Sequence, residues 1–238
     1  MCSLRRSLSS PLDLRIVILI YMDLSPSISL ISLRRRLARS LPPLIFVSGK
    51  ACSGKSTFAK RLEKYGYRHL SFDDFVYESV IKKYDVRDKG LAYGVYRGQA
   101  PSSWQQSFEQ EAHELILSSL KKSRVVVDAA IGNPQILKRI FSKKLSDFLF
   151  IYLHPFDREY YYRSMFKRFQ EDYQKQQPSC YLWDFVTPEI LADYRLHRTR
   201  SQLTLDLIKS YADESIRRSS IRLSKFRRHY PDLILTGH

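Results

Sequence analysis

The sequence predicts an α/β domain in which helices flank a parallel five-stranded sheet. Five short apolar runs have the length and composition of buried strands, and they lie at residues 44–48, 67–72, 124–128, 148–153 and 232–236. The stretches between them carry apolar residues at helical spacing; after the first strand, Phe58, Ala59 and Leu62 would share one helix face. Strands that alternate with helical stretches are typical of a parallel sheet. At 238 residues the chain is long enough to bury a full core.

A glycine-containing loop follows the first predicted strand and precedes the first predicted helix. It matches G-x-x-x-x-G-K-[ST] at every fixed position, with Gly49, Lys50, Ala51, Cys52, Ser53, Gly54, Lys55, Ser56 and Thr57. A strand, such a loop and a helix N-terminus turn backbone N–H groups toward a phosphate. The pattern therefore predicts a P-loop that binds ATP. Lys55 would reach the β- and γ-phosphates, Ser56 would ligate Mg²⁺, and Thr57 would donate to the α-phosphate.

Two adjacent acids, Asp73 and Asp74, follow the second predicted strand. Ligands bind at the carboxyl ends of the strands in an open parallel sheet, so either acid is a candidate general base for an acceptor hydroxyl. Asp is also a good helix N-cap, and a helix beginning at Phe75 would use one of the two in this way. We predict that one acid caps and the other is catalytic, with Asp74 also a candidate contact of the acceptor.

The third predicted strand ends in Asp128, after three valines. An apolar strand followed by Asp has the Walker B arrangement, in which the carboxylate holds Mg²⁺, often through water. Asp128 and Ser56 are thus the predicted metal-binding residues.

Residues 75–122 separate the second and third strands by far more than an ordinary connection, which indicates an acceptor-binding insertion. It is predicted to contain a loop at residues 90–99 and a helix at about 103–119. Arg97, between Tyr93 and Tyr96 in that loop, could hold an acceptor anion or stack on a base. A solvent-exposed loop arginine is the alternative.

A basic helix is predicted after the fourth strand. Arg163, Lys167 and Arg168 lie close together on it, and as a lid they would cover the nucleotide phosphates and neutralise charge in the transition state. A solvated basic face that pairs with Glu171 and Asp172 is the alternative. Residues 173–200 show no recognisable chemistry, residues 201–216 are predicted to be helical, and residues 217–229 form a strongly basic stretch before the last strand.

The N-terminal residues 1–43 differ in composition from the domain predicted at 44–238. They contain seven arginines, two acids and no glycine. An organellar transit peptide has this composition, and a disordered tail or a translation start at Met22 are the alternatives. The expected location is the cytoplasm, or an organelle if the segment is a transit peptide. Its apolar run at residues 16–22 is too short to span a bilayer.

Net charge indicates the class of partner, and cysteine content indicates the redox compartment. The formal net charge of +16 favours polyanions such as nucleotides, nucleic acid or an anionic membrane surface, and surplus Lys and Arg in a phosphate-handling enzyme is the simplest explanation. Three cysteines, far apart and odd in number, indicate a reducing compartment rather than a disulfide framework.

With these motifs in series, the chain resembles the small-molecule P-loop kinases. The segment Ser71-Phe72-Asp73-Asp74-Phe75 is similar to the D-D-F segment of uridine and nicotinamide riboside kinases, whose Asp acts near the acceptor hydroxyl. The third strand with Arg139 after it looks like that of the zeta-toxin and polynucleotide-kinase-like group, and residues 231–236 resemble the last strand of dephospho-CoA kinases. The resemblance implies the strand order 2-3-1-4-5 and a mobile helical lid.

These features predict ATP- and Mg²⁺-dependent phosphoryl transfer to a small metabolite, with a nucleoside or nucleotide as the leading acceptor. The predicted catalytic residues are Lys55, Asp73, Asp74, Arg163 and Arg168. A kinase of polynucleotide ends and a non-catalytic nucleotide-binding switch protein are the alternatives. The acceptor itself, the choice of ATP over GTP and the oligomeric state are left open by the sequence.

Overall fold

The computed structural model describes residues 42–141, 148–176, 186–231 and 234–236. The predictions for the N-terminal extension before residue 42 lie outside the described residues, as do parts of the predicted final strand and of residues 173–200. Within the described ranges, no helix is long and apolar enough to cross a bilayer.

Parallel pairing joins four strands into one sheet: β1 (Leu44–Gly49), β2 (Tyr67–Ser71), β3 (Arg124–Ala129) and β4 (Phe148–Leu153). They lie in the order β2-β3-β1-β4, and a three-residue strand, β5 (Ile234–Thr236), pairs in parallel with β4. The predicted α/β class with a parallel sheet is confirmed. Because β1 is central, the loop at its carboxyl end is flanked by the ends of β3 and β4.

Eight α-helices lie in the described part of the chain: α1 (Lys55–Glu63), α2 (Phe72–Val76), α3 (Lys89–Ala92), α4 (Ser102–Leu120), α5 (Pro134–Ile140), α6 (Arg158–Lys175), α7 (Pro188–Leu196) and α8 (Gln202–His229). A π-helical turn (Tyr77–Lys82) follows α2, and a 3₁₀ turn (Tyr93–Tyr96) follows α3. Most connections between strands are therefore helical, as the sequence predicts.

Hydrophobic layers cover both faces of the sheet. Successive side chains of a strand point to opposite faces, so Phe46 packs on one side of β1 and Ile45 on the other. The layer around Ile45 contains α1 through Phe58. The layer around Phe46 is larger and includes α4 and the end of α8, which contribute Phe108 and Phe226. Helices pack on both faces of the sheet. The carboxyl ends of the strands are therefore the part of the sheet left for a functional site.

A third hydrophobic cluster joins α6, α7 and α8 beside the sheet. Tyr161 and Phe169 of α6 pack with Tyr194 of α7 and Ile208 of α8. Cys52 of the glycine-containing loop packs against the same cluster. The helices after β4 therefore contact the loop at the end of β1 through an apolar surface.

The structure corrects three local predictions. Helix α2 begins at Phe72 rather than Phe75, and its N-cap is Ser71, whose hydroxyl accepts the Asp74 N–H; the prediction that an acid caps this helix is wrong. The predicted loop at 90–99 is largely helical, through α3 and the 3₁₀ turn. The basic stretch at 217–229 continues the predicted helix at 201–216, because both belong to α8.

Candidate active site

The loop between β1 and α1 forms a tight backbone cradle in which three residues have positive φ. Gly49 has φ of 155°, and a Cβ atom there would lie 2.5 Å from both the Leu153 carbonyl oxygen and the Ser53 hydroxyl. Gly54, at the N-cap of α1, has φ of 85°, and Cys52 is left-handed with φ of 61°. The Ser53 hydroxyl is buried without a hydrogen-bond partner. Such an atom is costly unless a ligand or water satisfies it, so the cradle fits an oxygen-rich ligand.

Replacing Gly49 with Ala is expected to destabilise the chain by roughly 2–4 kcal/mol, since the new methyl group meets backbone and adds strain. The matched control is Gly66→Ala. Gly66 has φ of 82°, but a Cβ atom there meets nothing within 4 Å. That change should cost only the left-handed strain, about 1–2 kcal/mol. Urea unfolding of both variants measures the difference, and equal losses would contradict the close packing at Gly49.

Lys55 opens α1 and is buried beneath the loop. Its ammonium group donates to the Lys50 carbonyl oxygen at 2.8 Å. Burial lowers the pKa of Lys55, while the carboxylates of Asp73 and Asp128 oppose that shift. A bound triphosphate would supply further negative charge here. Lys55 therefore lies between the loop and the carboxylates of Asp73 and Asp128; its role toward phosphates stays a prediction.

Ser56 and Asp128 meet at the carboxyl ends of β1 and β3. The Ser56 hydroxyl donates to Asp128 Oδ2 at 2.6 Å, and His69 Nε2 lies 2.9 Å from Asp128 Oδ1. Burial alone would raise the pKa of Asp128, but the hydrogen bonds from His69 and Ser56 outweigh it and lower the pKa. The carboxylate is thus held in its charged form, which is the form that binds a metal ion.

The Ser56–Asp128 pair suits Mg²⁺ that is also bound by a nucleotide. Mg²⁺ is usually held by one or two carboxylates together with substrate phosphates and water, and this pair offers a hydroxyl and a carboxylate beside the cradle. Among the described residues, no group of three or more His, Cys, Asp or Glu side chains is arranged as a metal site. The fit to Mg²⁺ therefore depends on phosphate oxygens as additional ligands.

Asp73 and Asp74 occupy different surroundings on α2. Asp73 Oδ1 accepts the hydroxyl of buried Tyr96 at 3.0 Å, whereas Asp74 is exposed and donates its backbone N–H to the Ser71 cap. Asp73 also has exposed surface, yet desolvation by nearby protein atoms is the largest influence on its carboxyl group and raises its pKa; Lys55 opposes the shift. Asp73 is therefore the better candidate of the two for a general base.

The predicted lid helix, α6, contacts the loop through tyrosine rather than arginine. The Tyr161 hydroxyl donates to the Ala51 carbonyl oxygen at 2.8 Å. The predicted lid cations form ion pairs within the helix, Arg163 with Glu159 at 3.4 Å, Lys167 with Glu171 at 4.0 Å and Arg168 with Asp172 at 3.6 Å. The pairs of Arg163 and Lys167 are contacts of a solvated basic face, whereas Arg168 pairs with buried Asp172. None of these contacts reaches the loop, so the catalytic role of Arg163 and Arg168 stays a prediction.

Helix α8 and the insertion bring other arginines to the loop. Burial lowers the pKa of Lys50, and the guanidinium groups of Arg222, Arg218 and Arg97 lower it further, to about 8. Arg222 also donates to the Ala130 carbonyl oxygen at 3.1 Å, just beyond β3. Arginines from two separate segments, α8 and the insertion, therefore act on Lys50 in the first half of the loop.

Sequence reasoning missed His69, Tyr96, Tyr161 and Arg222. His69 lies within β2, and only its register opposite Val126 brings it near Asp128. The sequence places Tyr96 beside Arg97 but gives no sign of its bond to Asp73. Arg222 belongs to a stretch that is visibly basic, but without a helical register nothing indicates which of its cations faces the site.

Comparison with known proteins assigns no family to this chain. No protein-family model and no curated protein matches this chain. The residues gathered at the carboxyl ends of β1, β2 and β3 are therefore the basis for the function proposed below.

Proposed function

We propose that the chain is an ATP- and Mg²⁺-dependent phosphotransferase with a P-loop NTPase-type fold, in which β5 serves as the fifth strand. The proposed acceptor is a small metabolite, with a nucleoside or nucleotide as the leading class. The supporting observation is the convergence of Lys55, the Ser56–Asp128 pair and Asp73 at one edge of the sheet.

Each of these side chains has one part in the proposed transfer. The loop amides and Lys55 hold the β- and γ-phosphates, and Mg²⁺, when bound, neutralises phosphate charge beside Ser56 and Asp128. With a hydroxyl acceptor, Asp73 takes the proton as the acceptor oxygen bonds to the γ-phosphorus. The bond between that phosphorus and the bridging oxygen breaks, and ADP leaves with the electron pair. Tyr96 orients Asp73 for this step through its hydroxyl.

A metabolite-extract screen tests the activity directly. Purified chain is incubated with γ-labelled ATP, Mg²⁺ and a small-molecule extract, and labelled products are separated by chromatography. Lys55→Ala serves as the blank, because contaminating kinases would label the same products in both samples. A product formed only by the wild type supports the proposal. If no product depends on Lys55 across extracts of different origin, the proposal fails.

Replacing His69 with Ala is expected to weaken Mg²⁺ use without removing a metal ligand. His69 orients Asp128 through the 2.9 Å contact between their side chains, and loss of such an outer partner commonly costs about 10–100-fold in metal affinity. The measurement is the Mg²⁺ concentration for half-maximal phosphotransfer, with His113→Ala as the control because His113 bonds to the Ile140 carbonyl oxygen elsewhere. An unchanged Mg²⁺ requirement would contradict the proposed role of His69 in orienting Asp128.

A kinase of polynucleotide ends is the second candidate. The observation that favours it is the concentration of basic residues on the C-terminal half of α8: Arg217, Arg218, Arg222, Lys225, Arg227, Arg228 and His229. Oligonucleotide binding with a steep salt dependence would favour it, and no binding at low salt would end it. A non-catalytic switch protein predicts instead that nucleotide affinity survives Asp73→Asn while no acceptor is ever labelled.

A further inference from the structure

A second concave site adjoins the P-loop on the side of the insertion. It has a volume of about 390 Å³ and is lined by Arg97, Gln99, Gly132, Asn133, Pro134, Arg218, Ile221, Arg222 and Lys225. Four of these nine lining residues are cations, and none of them is an acid. The volume lies in the range of small-molecule sites, and the lining charge favours an anionic ligand.

Part of that positive charge is held in place by the protein. Arg222 donates to the Ala130 carbonyl oxygen at 3.1 Å and lies over Gly132, where a Cβ atom would be 3.1 Å from its guanidinium nitrogen. Arg218 pairs at 2.6 Å with Glu214, which also pairs with Arg217. The carbonyl contact does not itself neutralise Arg222, and the pocket lining contains four cations and no acid.

Hydrogen bonds connect the wall of this pocket to the candidate general base. The Gly132 N–H donates to the Tyr96 carbonyl oxygen at 3.0 Å, and the Asn133 side chain donates to the Arg97 carbonyl oxygen at 3.4 Å. The Tyr96 hydroxyl in turn donates to Asp73. The segment that carries Arg97, a lining residue of the pocket, therefore also carries the tyrosine that contacts Asp73.

We propose that this pocket binds a phosphate group carried by the acceptor, which makes the acceptor a phosphorylated small molecule rather than an uncharged one. The inference rests on the phosphotransferase function proposed above. Arg97, Arg222 and Lys225 supply the charge that holds the phosphate. Arg222 and Arg97 also lower the pKa of Lys50. This electrostatic effect on a loop residue supports the assignment, because it places the two arginines near the loop.

A small acceptor fits the pocket better than a polymer does. Proteins that bind single-stranded nucleic acid use a basic groove along the backbone and aromatic platforms for the bases. Arg217, Arg227 and Arg228 are exposed on α8 but do not line the pocket. The four lining cations lie around one concave, partly open pocket, which is the arrangement expected for one phosphate.

Two measurements test the inference. In the first, the pocket is probed by equilibrium dialysis with labelled inorganic phosphate, with the P-loop saturated by Mg²⁺ and a non-hydrolysable ATP analogue. Phosphate affinity should fall on the order of tenfold in Arg222→Gln and in Lys225→Gln, since each loses a charged contact. The matched control, Arg227→Gln, removes an exposed cation from the same helix and should change affinity less than about twofold. Lys225 is exposed, so its variant stays informative if Arg222→Gln fails to fold.

In the second measurement, the labelling screen is repeated with an extract treated with alkaline phosphatase, which is removed before ATP is added. The inference predicts that the Lys55-dependent product disappears. A product that survives this treatment overturns the inference and leaves the phosphotransferase function standing. No Lys55-dependent product from either extract overturns that function, and with it the acceptor role of the pocket.

The dialysis also separates the remaining outcomes. Equal phosphate binding by wild type and all three variants overturns the pocket as a phosphate site. Binding of a 5′-phosphorylated oligonucleotide that Arg227→Gln weakens as much as Lys225→Gln, without binding of free phosphate, overturns it in favour of a polynucleotide surface.

Discussion

Lys55→Ala should reduce phosphotransfer by about 10²–10³-fold or more, because it removes the buried side-chain charge that the loop directs at the phosphates. The variant should still fold. The Lys50 carbonyl oxygen that Lys55 contacts also accepts the Ser53 N–H at 3.2 Å, so it keeps a partner. Loss of a buried cation also removes its desolvation cost. Activity and thermal midpoint are measured on the same preparation.

The matched control for this change is Lys60→Ala. Lys60 lies on the same helix, α1, but is exposed, and its loss should alter activity less than about twofold. If Lys55→Ala keeps more than a tenth of wild-type phosphotransfer and an unchanged thermal midpoint, the role proposed for the lysine of the loop is wrong.

Asp73→Asn should lower kcat by about 10²–10⁴-fold with a hydroxyl acceptor, which is the range for loss of a general base. Its pH dependence is equally informative. Desolvation raises the pKa of Asp73, so the carboxyl group becomes protonated at a higher pH than an ordinary Asp. A general base works only when deprotonated. The rate constant kcat/KM should therefore fall as pH decreases through that raised pKa, and Asp73→Asn should lose this acid limb.

The neighbouring acid provides the control for Asp73. Asp74→Asn makes the same chemical change one residue away, at an exposed position whose backbone N–H already serves the Ser71 cap. Its activity should fall less than about threefold if Asp73 alone is the base. Equal losses in the two variants would show that the sheet edge, rather than Asp73, is what the reaction needs.

The parts of the site that depend on local sequence were predictable. A P-loop motif has particular residue types at fixed spacing, so the motif alone makes Lys55 and Ser56 candidate site residues. Asp128 was predictable because strand polarity determines which end of the sheet a strand-terminal residue reaches. The meeting of Ser56 with Asp128 at 2.6 Å follows from the pairing of β1 with β3.

The contacts between distant segments were not predictable in the same way. Arg163 and Arg222 are both arginines on basic helices, and only packing decides which of them faces the loop. Helix α6 turns Tyr161 toward Ala51 and leaves Arg163 in an ion pair with Glu159. The choice of Asp73 over Asp74 as the candidate base likewise depends on a hydroxyl 23 positions along the chain from Asp73, that of Tyr96.

The length of α8 has a mechanical consequence. Its first half packs through Ile208 and Ala212 against α6, while its second half packs through Leu223 and Phe226 on the sheet. An α-helix is stiff over this distance, so the two packing regions of α8 are rigidly connected. A shift of α6 on nucleotide binding would therefore tilt α8 and move Arg222 with it. If the loop binds a nucleotide as proposed, its occupancy and the shape of the basic pocket are coupled through α8.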